Sequence, residues 1–409
     1  MGKSLARAAW FTLGVTVLLG AAACGGGSSG SSADPAAAPI SVGFNDSLTG
    51  TGAAEGQADL LTAKAAIGYI NSQGGVDGHQ LKLIVLDSGE VGSGQAGSNA
   101  TQLAQDKVAA IIGPTISNDC DSAIPIITQD KIPDLCAFVD YNTLVPPRTY
   151  LYQAAKTEVT YAKPVIDFIK AITGNQHPRI AVIGAATQGA LQMVAKMKTI
   201  ASELGASIVY SGVESLTATD LSPLGAGAIA GRPDAVVEEI FPQFVVPLDK
   251  QLRGGLPASV PIIGQYGVNT YQALQTLKDP RVYSLGGAQM IIPGASGNSA
   301  EINALAAQFA KAGGGTAADI NGAAGTEQLA ADLDLFAAMK ACHACTGAAL
   351  ASQLQQTSLT VPGLVNDFHY SAASHLGINT YYFYSWDAAK NQATLDSSQP
   401  IGSLSLTSP

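Results

Sequence analysis

Ile70-Asn71-Ser72-Gln73-Gly74-Gly75-Val76-Asp77-Gly78-His79-Gln80-Leu81 contains the unit that repeats along this chain. Upstream of it, from Ala58 to Asn71, apolar side chains fall at Leu60, Leu61, Ala65, Ile67 and Ile70, the spacing of a helix with one buried face. Gly74-Gly75 stops that helix. Leu81-Lys82-Leu83-Ile84-Val85-Leu86-Asp87 then reads as a strand. The alternation continues on both sides. Ile40-Ser41-Val42-Gly43-Phe44 is a strand before it, and Ala96 to Asp106 is a helix after it. Val108 to Gly113 is nearly all apolar, as a strand buried in a parallel sheet must be. Ser122 to Gln129 reads as a short helix and Ile132 to Val139 as another strand.

A second series starts beyond Tyr150 to Thr157. Its predicted helices are Thr160 to Thr173, Ala190 to Leu204 and Phe244 to Leu252. Its predicted strands are Arg179 to Gly184, Ser207 to Tyr210, Asp234 to Val237 and Val260 to Gly264. Strands separated by helices of this length argue for two α/β domains, each a doubly wound parallel sheet. In that architecture ligands collect at the C-terminal ends of strands. Later helices are expected at Ala300 to Ala312, Glu327 to Lys340 and Thr346 to Gln356, and a late strand at Thr380 to Trp386. The polar tail from Asp387 onward reads as irregular.

Composition narrows the function. The 409 residues suit two domains, and 47% hydrophobic content excludes a largely disordered chain. A formal net charge of −10 with no Lys/Arg cluster argues against nucleic acid as a partner, because phosphate neutralisation supplies most of that affinity. At the N-terminus, Lys3 and Arg7 precede an uncharged run from Ala8 to Ala22 and the small residues Ala21-Ala22-Ala23 before Cys24. Residues 1–23 read as a secretory signal peptide. The segment resembles a bacterial lipoprotein signal, which implies lipidation of Cys24; Ala21 stands where that motif usually has Leu. Residues 24–39, opening Cys24-Gly25-Gly26-Gly27-Ser28-Ser29, would be a flexible tether. No later apolar run is long enough to span a bilayer.

Four cysteines follow Cys24. An even number in an exported chain suggests two disulfides, with Cys120–Cys136 and Cys342–Cys345 as the natural local pairing. Cys342-His343-Ala344-Cys345 also admits a redox pair, or half a zinc site completed by His343 with His369 or His375.

The decisive residues resemble one family. Ser47-Leu48-Thr49-Gly50, the run Ile70 to Leu81, Asp87, and Ile111-Ile112-Gly113-Pro114 followed by Ser117 are similar to the opening blocks of the branched-chain amino-acid binding proteins. These are receptors of ABC importers with the type I periplasmic-binding fold. The resemblance runs from Ile40 to about Trp386 and implies two lobes joined by three connections, near Gln153 to Thr157, Gly286 to Pro293 and Thr360 to Asn366. The N-terminal lobe would be 40–153 plus 293–360, and the C-terminal lobe 157–286 plus 366–400. It implies a small-molecule ligand in the cleft, a membrane permease as partner, a monomer, no cofactor, and anchorage to the outer face of the membrane through Cys24.

The resemblance also implies site residues. Ser117, with Asn118 beside it, would hold a ligand carboxylate at a helix N-terminus, where orphan N–H groups favour an anion. The next contacts would be Val139, Asp140 and Tyr141, although the family has small residues there. From the second lobe come Gln188 and either Ile240 or Phe241, of which Phe241 is the aromatic. Tyr266 stands where amino-acid receptors carry the acid that pairs with the ligand ammonium. Either the ligand is not an α-amino acid, or Glu55, Asp140, Glu238 or Glu239 supplies the missing charge. Thr49 and Glu55 belong to the loop that faces the cleft in the family. The same fold admits a ligand sensor. An exported α/β enzyme is a further alternative, but no Gly-x-Ser-x-Gly, His-Glu-x-x-His or phosphate-loop motif occurs.

Overall fold

The computed structural model describes residues 37–400 apart from 140, 216, 265–270, 293, 296–297, 315 and 322–324. The signal peptide, Cys24, Asp140 and Tyr266 therefore lie outside the described residues.

The first series forms β1 (Ile40–Asp46), α1 (Ala53–Ser72), β2 (Leu81–Asp87), α2 (Gln95–Gln105), β3 (Ile111–Ile112), α3 (Ser117–Asp130), β4 (Asp134–Cys136), α4 (Tyr141–Leu144) and β5 (Leu151–Gln153). Its five strands make an all-parallel sheet in the order β2-β1-β3-β4-β5. The second series runs α5 (Glu158–Thr173), β6 (Arg179–Ala185), α6 (Gln188–Glu203), β7 (Ser207–Glu214), α7 (Ser222–Ala230), β8 (Ala235–Glu239), α8 (Pro242–Gly255), β9 (Ile262–Gly264), α9 (Tyr271–Leu277) and β10 (Val282–Gly286). The chain then returns to the first lobe with α10 (Ala300–Lys311), α11 (Gly325–Ala341) and α12 (Gly347–Leu354), where α10 and α11 pack on α1. A hairpin, β11 (Ser358–Val361) and β12 (Val365–His369), precedes β13 (Thr380–Asp387) and β14 (Gln392–Pro400). The second sheet has the order β14-β13-β10-β9-β8-β6-β7, with β13 and β14 antiparallel to their neighbours. The expected α/β class with two parallel-sheet lobes is what the chain adopts.

The stretch from Ile70 to Leu81 works as a helix-to-strand clamp. Asn71 at the end of α1 donates to the Leu81 carbonyl at 2.9 Å and accepts the Leu81 N–H at 2.7 Å, so β2 starts in register with the helix end. Val76 and His79 exchange both backbone bonds at 2.9 Å, and Val76 is fully buried. Gly75 has φ +78°, and a Cβ there would sit 2.0 Å from the His79 carbonyl oxygen; only glycine fits.

Several segments depart from the sequence reading, among them α7, α9, β10 and the β11–β12 hairpin, which it did not name. The helix expected from Ser122 begins at Ser117. The tail expected to be irregular forms β14, an edge strand that needs few apolar residues because one partner completes it. The third connection also lies later than Thr360 to Asn366. Gln153 of β5 still bridges to Leu376 and donates its N–H to the His375 carbonyl at 2.8 Å, so the chain follows the first lobe to that point.

Candidate functional site

Where the strands of the two lobes end, their following residues meet. A buried carboxyl sets the first wall. Asp46, at the end of β1, accepts the backbone N–H groups of Ser47 at 2.8 Å and Thr115 at 3.2 Å. The Thr115 hydroxyl lies 2.5 Å from Asp46 and 2.7 Å from Asp59 of α1. A hydroxyl has one proton, so one of the two carboxyls must carry its own. Burial pushes Asp46 up to about 6 and Asp59 well above its ordinary value, with the Asp46 charge adding to the second shift. The stronger upward push falls on Asp59, which makes it the expected holder of that proton, with Thr115 then donating to Asp46. Gly113 permits the approach: its φ is +84°, and a Cβ would lie 2.7 Å from the Asn45 carbonyl oxygen. The turn held this way leads directly into α3 and places Ser117 at its first residue.

A second tie fixes that helix. The sulfurs of Cys120 in α3 and Cys136 at the end of β4 are bonded, with Cα atoms 6.1 Å apart. Cys342 and Cys345 are likewise bonded, with Cα atoms 5.5 Å apart. Replacing Cys120 and Cys136 together by Ser is expected to lower stability by about 3 kcal/mol, as closure of a loop of this length predicts. Chemical denaturation of the oxidised double variant measures it.

Across the cleft, α6 presents its N-terminus to α3. The Ser117 Oγ accepts the Gly189 N–H at 3.4 Å, and the Asn118 Oδ1 accepts the Gln188 N–H at 3.3 Å. Thr187 accepts the Ala190 N–H at 3.3 Å. Orphan donors of a helix in one lobe are thus satisfied by side chains of the other. Beside them, Ile116 of the first lobe packs in one apolar cluster with Ala185, Ala190 and Phe241 of the second.

These groups line a small cavity of about 30 Å³ between the two walls. Ile116, Ser117, Phe138 and Lys156 line it from the first lobe and the connection leaving it. Tyr161, Ala185, Thr187, Gly189, Glu239 and Phe241 line it from the second. The Tyr161 hydroxyl donates to Glu239 at 2.8 Å. The Lys156 ammonium lies 5.2 Å from the centre of the Phe138 ring and 3.0 Å from Glu327.

Ser117 and Phe241 line the cavity, and Asn118 and Gln188 join its rim by their mutual bond. Tyr141 opens the short helix α4, and its side chain is outside the described residues. Three expected contacts are placed elsewhere. Thr49 is exposed and spends its hydroxyl on Asp87 at 2.7 Å, which anchors the loop instead of reaching the cavity. Val139 turns into the first core, its N–H held by Gln153 at 3.3 Å. Glu55 is buried in the first turn of α1 and does not line the cavity. Burial pushes it up to about 8, aided by the Asp46 and Glu214 carboxyls. Among the acids named as substitutes for a missing counter-charge, strand alternation separates the last two. Glu238 is enclosed beside Asp249 and Arg253, and Glu239 reaches the cavity. Lys156 and Tyr161, which also line the cavity, were not named from the sequence. Lys156 is the one charge in Tyr150 to Thr157, which is the signal a reader could have used.

Comparison with known proteins identifies the family. The family described as periplasmic binding protein matches residues 39–392. No curated protein matches the chain. Among solved structures, the branched-chain amino acid transporter substrate-binding protein LivJ from Streptococcus pneumoniae, in complex with isoleucine, is 20% identical. The match covers 88% of this chain and 99% of that one, with a TM-score of 0.70. A solute-binding protein of an ABC transporter from R. palustris, in complex with 4-hydroxybenzoate, is 17% identical over 88% and 96% of the two chains, with a TM-score of 0.73. A fatty acid ABC transporter substrate-binding protein from Thermomonospora curvata is 18% identical over 88% and 92%, with a TM-score of 0.72. At these identities the likeness shows the fold, shared by proteins named for quite different ligands. The family match spans most of the chain, and on it the chain belongs to the periplasmic binding protein family.

Proposed function

We propose that the chain is the extracytoplasmic solute receptor of an ABC importer, taking a small organic ligand between its lobes and offering the closed form to a membrane permease. The observation that carries this reading is a cavity lined from both lobes, at the C-terminal ends of both parallel sheets. A ligand touching both walls favours the closed arrangement by its differential affinity. Export by residues 1–23, lipidation at Cys24 and a tether over 24–39 complete the proposal, keeping the receptor at the outer membrane face. Among the described residues, no helix is long and apolar enough to cross a membrane.

Ser117, Asn118, Gln188 and Phe241 are proposed ligand contacts, joined by Lys156, Thr187 and Glu239. Asp140, Tyr141 and Tyr266 stay in the proposed set from the family resemblance alone. Glu239 favours the second of the two alternatives that Tyr266 opened, a substitute acid. An acid lines the cavity, hydrogen-bonded to Tyr161, while the Lys156 ammonium is already held by Glu327. The ligand proposed is therefore amine-bearing, with an apolar body against Ile116, Phe138 and Phe241.

A thermal-shift screen of residues 25–409 tests the reading. Leucine carries both an ammonium and a carboxylate, its carboxamide only the ammonium, and 4-methylpentanoate only the carboxylate. A ligand at a hundredfold excess over its Kd adds about 2.7 kcal/mol to stability. Shifts with leucine or the amide and not with 4-methylpentanoate are expected. Shifts with 4-methylpentanoate alone remove the amine, and no shift across a wider panel of amino acids, amides and carboxylates removes the receptor reading. Glu239→Gln is expected to weaken an amine ligand by at least about tenfold, the cost of a lost charged hydrogen bond. Titration calorimetry on a variant with an unchanged melting curve reads this directly.

A further inference from the structure

Glu327, near the start of α11, is fully buried, as is its partner Lys156. Its Oε1 accepts the Lys156 ammonium at 3.0 Å and the Gly287 N–H at 2.5 Å, and its Oε2 accepts the Lys156 backbone N–H at 2.9 Å. The two residues it holds belong to different connections. Lys156 lies between β5 and α5, where the chain first passes to the second lobe, and Gly287 follows β10, where it begins to return. The third connection is drawn to the same point. A Cβ on Gly287 would meet the Ile378 side chain at 2.5 Å and the Glu327 carboxyl carbon at 3.3 Å. Gln153 adds to the junction, donating its amide to the Lys156 carbonyl at 2.7 Å and its N–H to the His375 carbonyl at 2.8 Å.

One carboxylate on the first lobe thus binds two of the three connections, and the third comes up against Gly287 through Ile378. Movement of the lobes must change the backbone of those connections relative to each other, because the packed lobes themselves are not deformable. The ammonium held by Glu327 also lines the cavity, beside Phe138. We propose that Glu327 is the positioning residue of the cleft: it fixes the spacing at which the connections rest, and through Lys156 it couples ligand occupancy to lobe closure. The proposal rests on the solute-receptor reading and goes beyond it. Glu327 does not line the cavity and acts through Lys156 and Gly287.

Glu327→Asp tests it, since the shortened side chain keeps the charge for Lys156 but cannot reach both connections at once. Small-angle scattering of the unliganded protein reads lobe separation. Leucine, isoleucine and leucinamide serve as probes for affinity by calorimetry. The expected result is a folded variant with a larger radius of gyration than wild type and an affinity about tenfold lower for whichever probe binds, a coupling of ordinary size. Gly287→Ala approaches the junction from outside the cavity and should move both readouts in the same direction; it carries the test if Glu327→Asp does not fold. Folded variants with wild-type scattering and affinity overturn the proposal. If none of the probes binds wild type, the receptor reading weakens, and scattering alone still decides the role of Glu327.

Discussion

Raising the pH from 5 to 8 is expected to lower the melting temperature of this protein by many degrees. The cause is a set of carboxyls buried away from cations. Burial pushes Glu55, Glu214, Asp332 and Asp334 up to about 8 and Asp46 to about 6. Asp119 reinforces the shift at Asp46, and Asp46 and Glu214 that at Glu55, while Gln328 offsets it at Asp332 and the Phe241 N–H at Glu214. In the unfolded chain each carboxyl loses its proton near pH 4. Between pH 4 and 8 the folded state therefore binds more protons than the unfolded state, and stability falls as pH rises. It is fully present below about pH 4 and lost progressively up to about pH 8. Each such group contributes up to about 1.4 kcal/mol per pH unit, so several together amount to several kcal/mol. Asp87 works in the opposite direction: burial raises it, but the Thr49 hydroxyl and the Gly89, Leu48 and Thr49 N–H groups together draw it lower. Its contribution changes below about pH 4, outside the window. Calorimetric melts at pH 5, 6.5 and 8 test the sign. A melting temperature that holds or climbs across them contradicts the protonated assignment. In Glu55→Gln the slope should flatten by that one group's share.

Elements with a repeating apolar spacing were legible, and elements defined by partners were not. The helix read from Ala58 to Asn71 is α1, and Leu81 to Asp87 is β2 to the residue. The first turn of α3 was missed because Ser117-Asn118-Asp119-Cys120-Asp121 has no helical apolar face; its burial comes from Asp119 bonding Gly92 and Cys120 bonding Cys136. β14 was missed for the same reason, since its pairing to β13 is invisible in a polar tail. The site divides likewise. Ser117 and Phe241 follow strand ends and could be named. Lys156 and Glu327 are separated by 171 residues, and only folding makes them a pair. Thr49 misled because a hydroxyl in a cleft loop is as useful to a neighbouring carboxylate as to a ligand, and Asp87 is the nearer claimant.

Lys156→Met is expected to cost about 3–5 kcal/mol of stability, the range for removing one partner of a buried ion pair. Lys163→Met should cost almost nothing. Both lysines face a carboxylate, but the Lys163–Asp167 pair is exposed on α5, where water and salt screen it. Lys156 and Glu327 are 0% exposed, so water cannot solvate the charge left behind. Two N–H donors remain on Glu327 in the variant, from Gly287 and from the Lys156 position itself, and they moderate the loss without neutralising it. Lys156→Met combined with Glu327→Gln should then recover most of the stability, because no buried charge remains and one amide oxygen can still accept the Gly287 N–H. Urea unfolding of the wild type, both single variants and the double variant gives the coupling energy directly. A Lys156→Met loss below about 1 kcal/mol would mean that Glu327 finds solvent or another cation, and a junction so easily relieved could not hold the connections between the lobes.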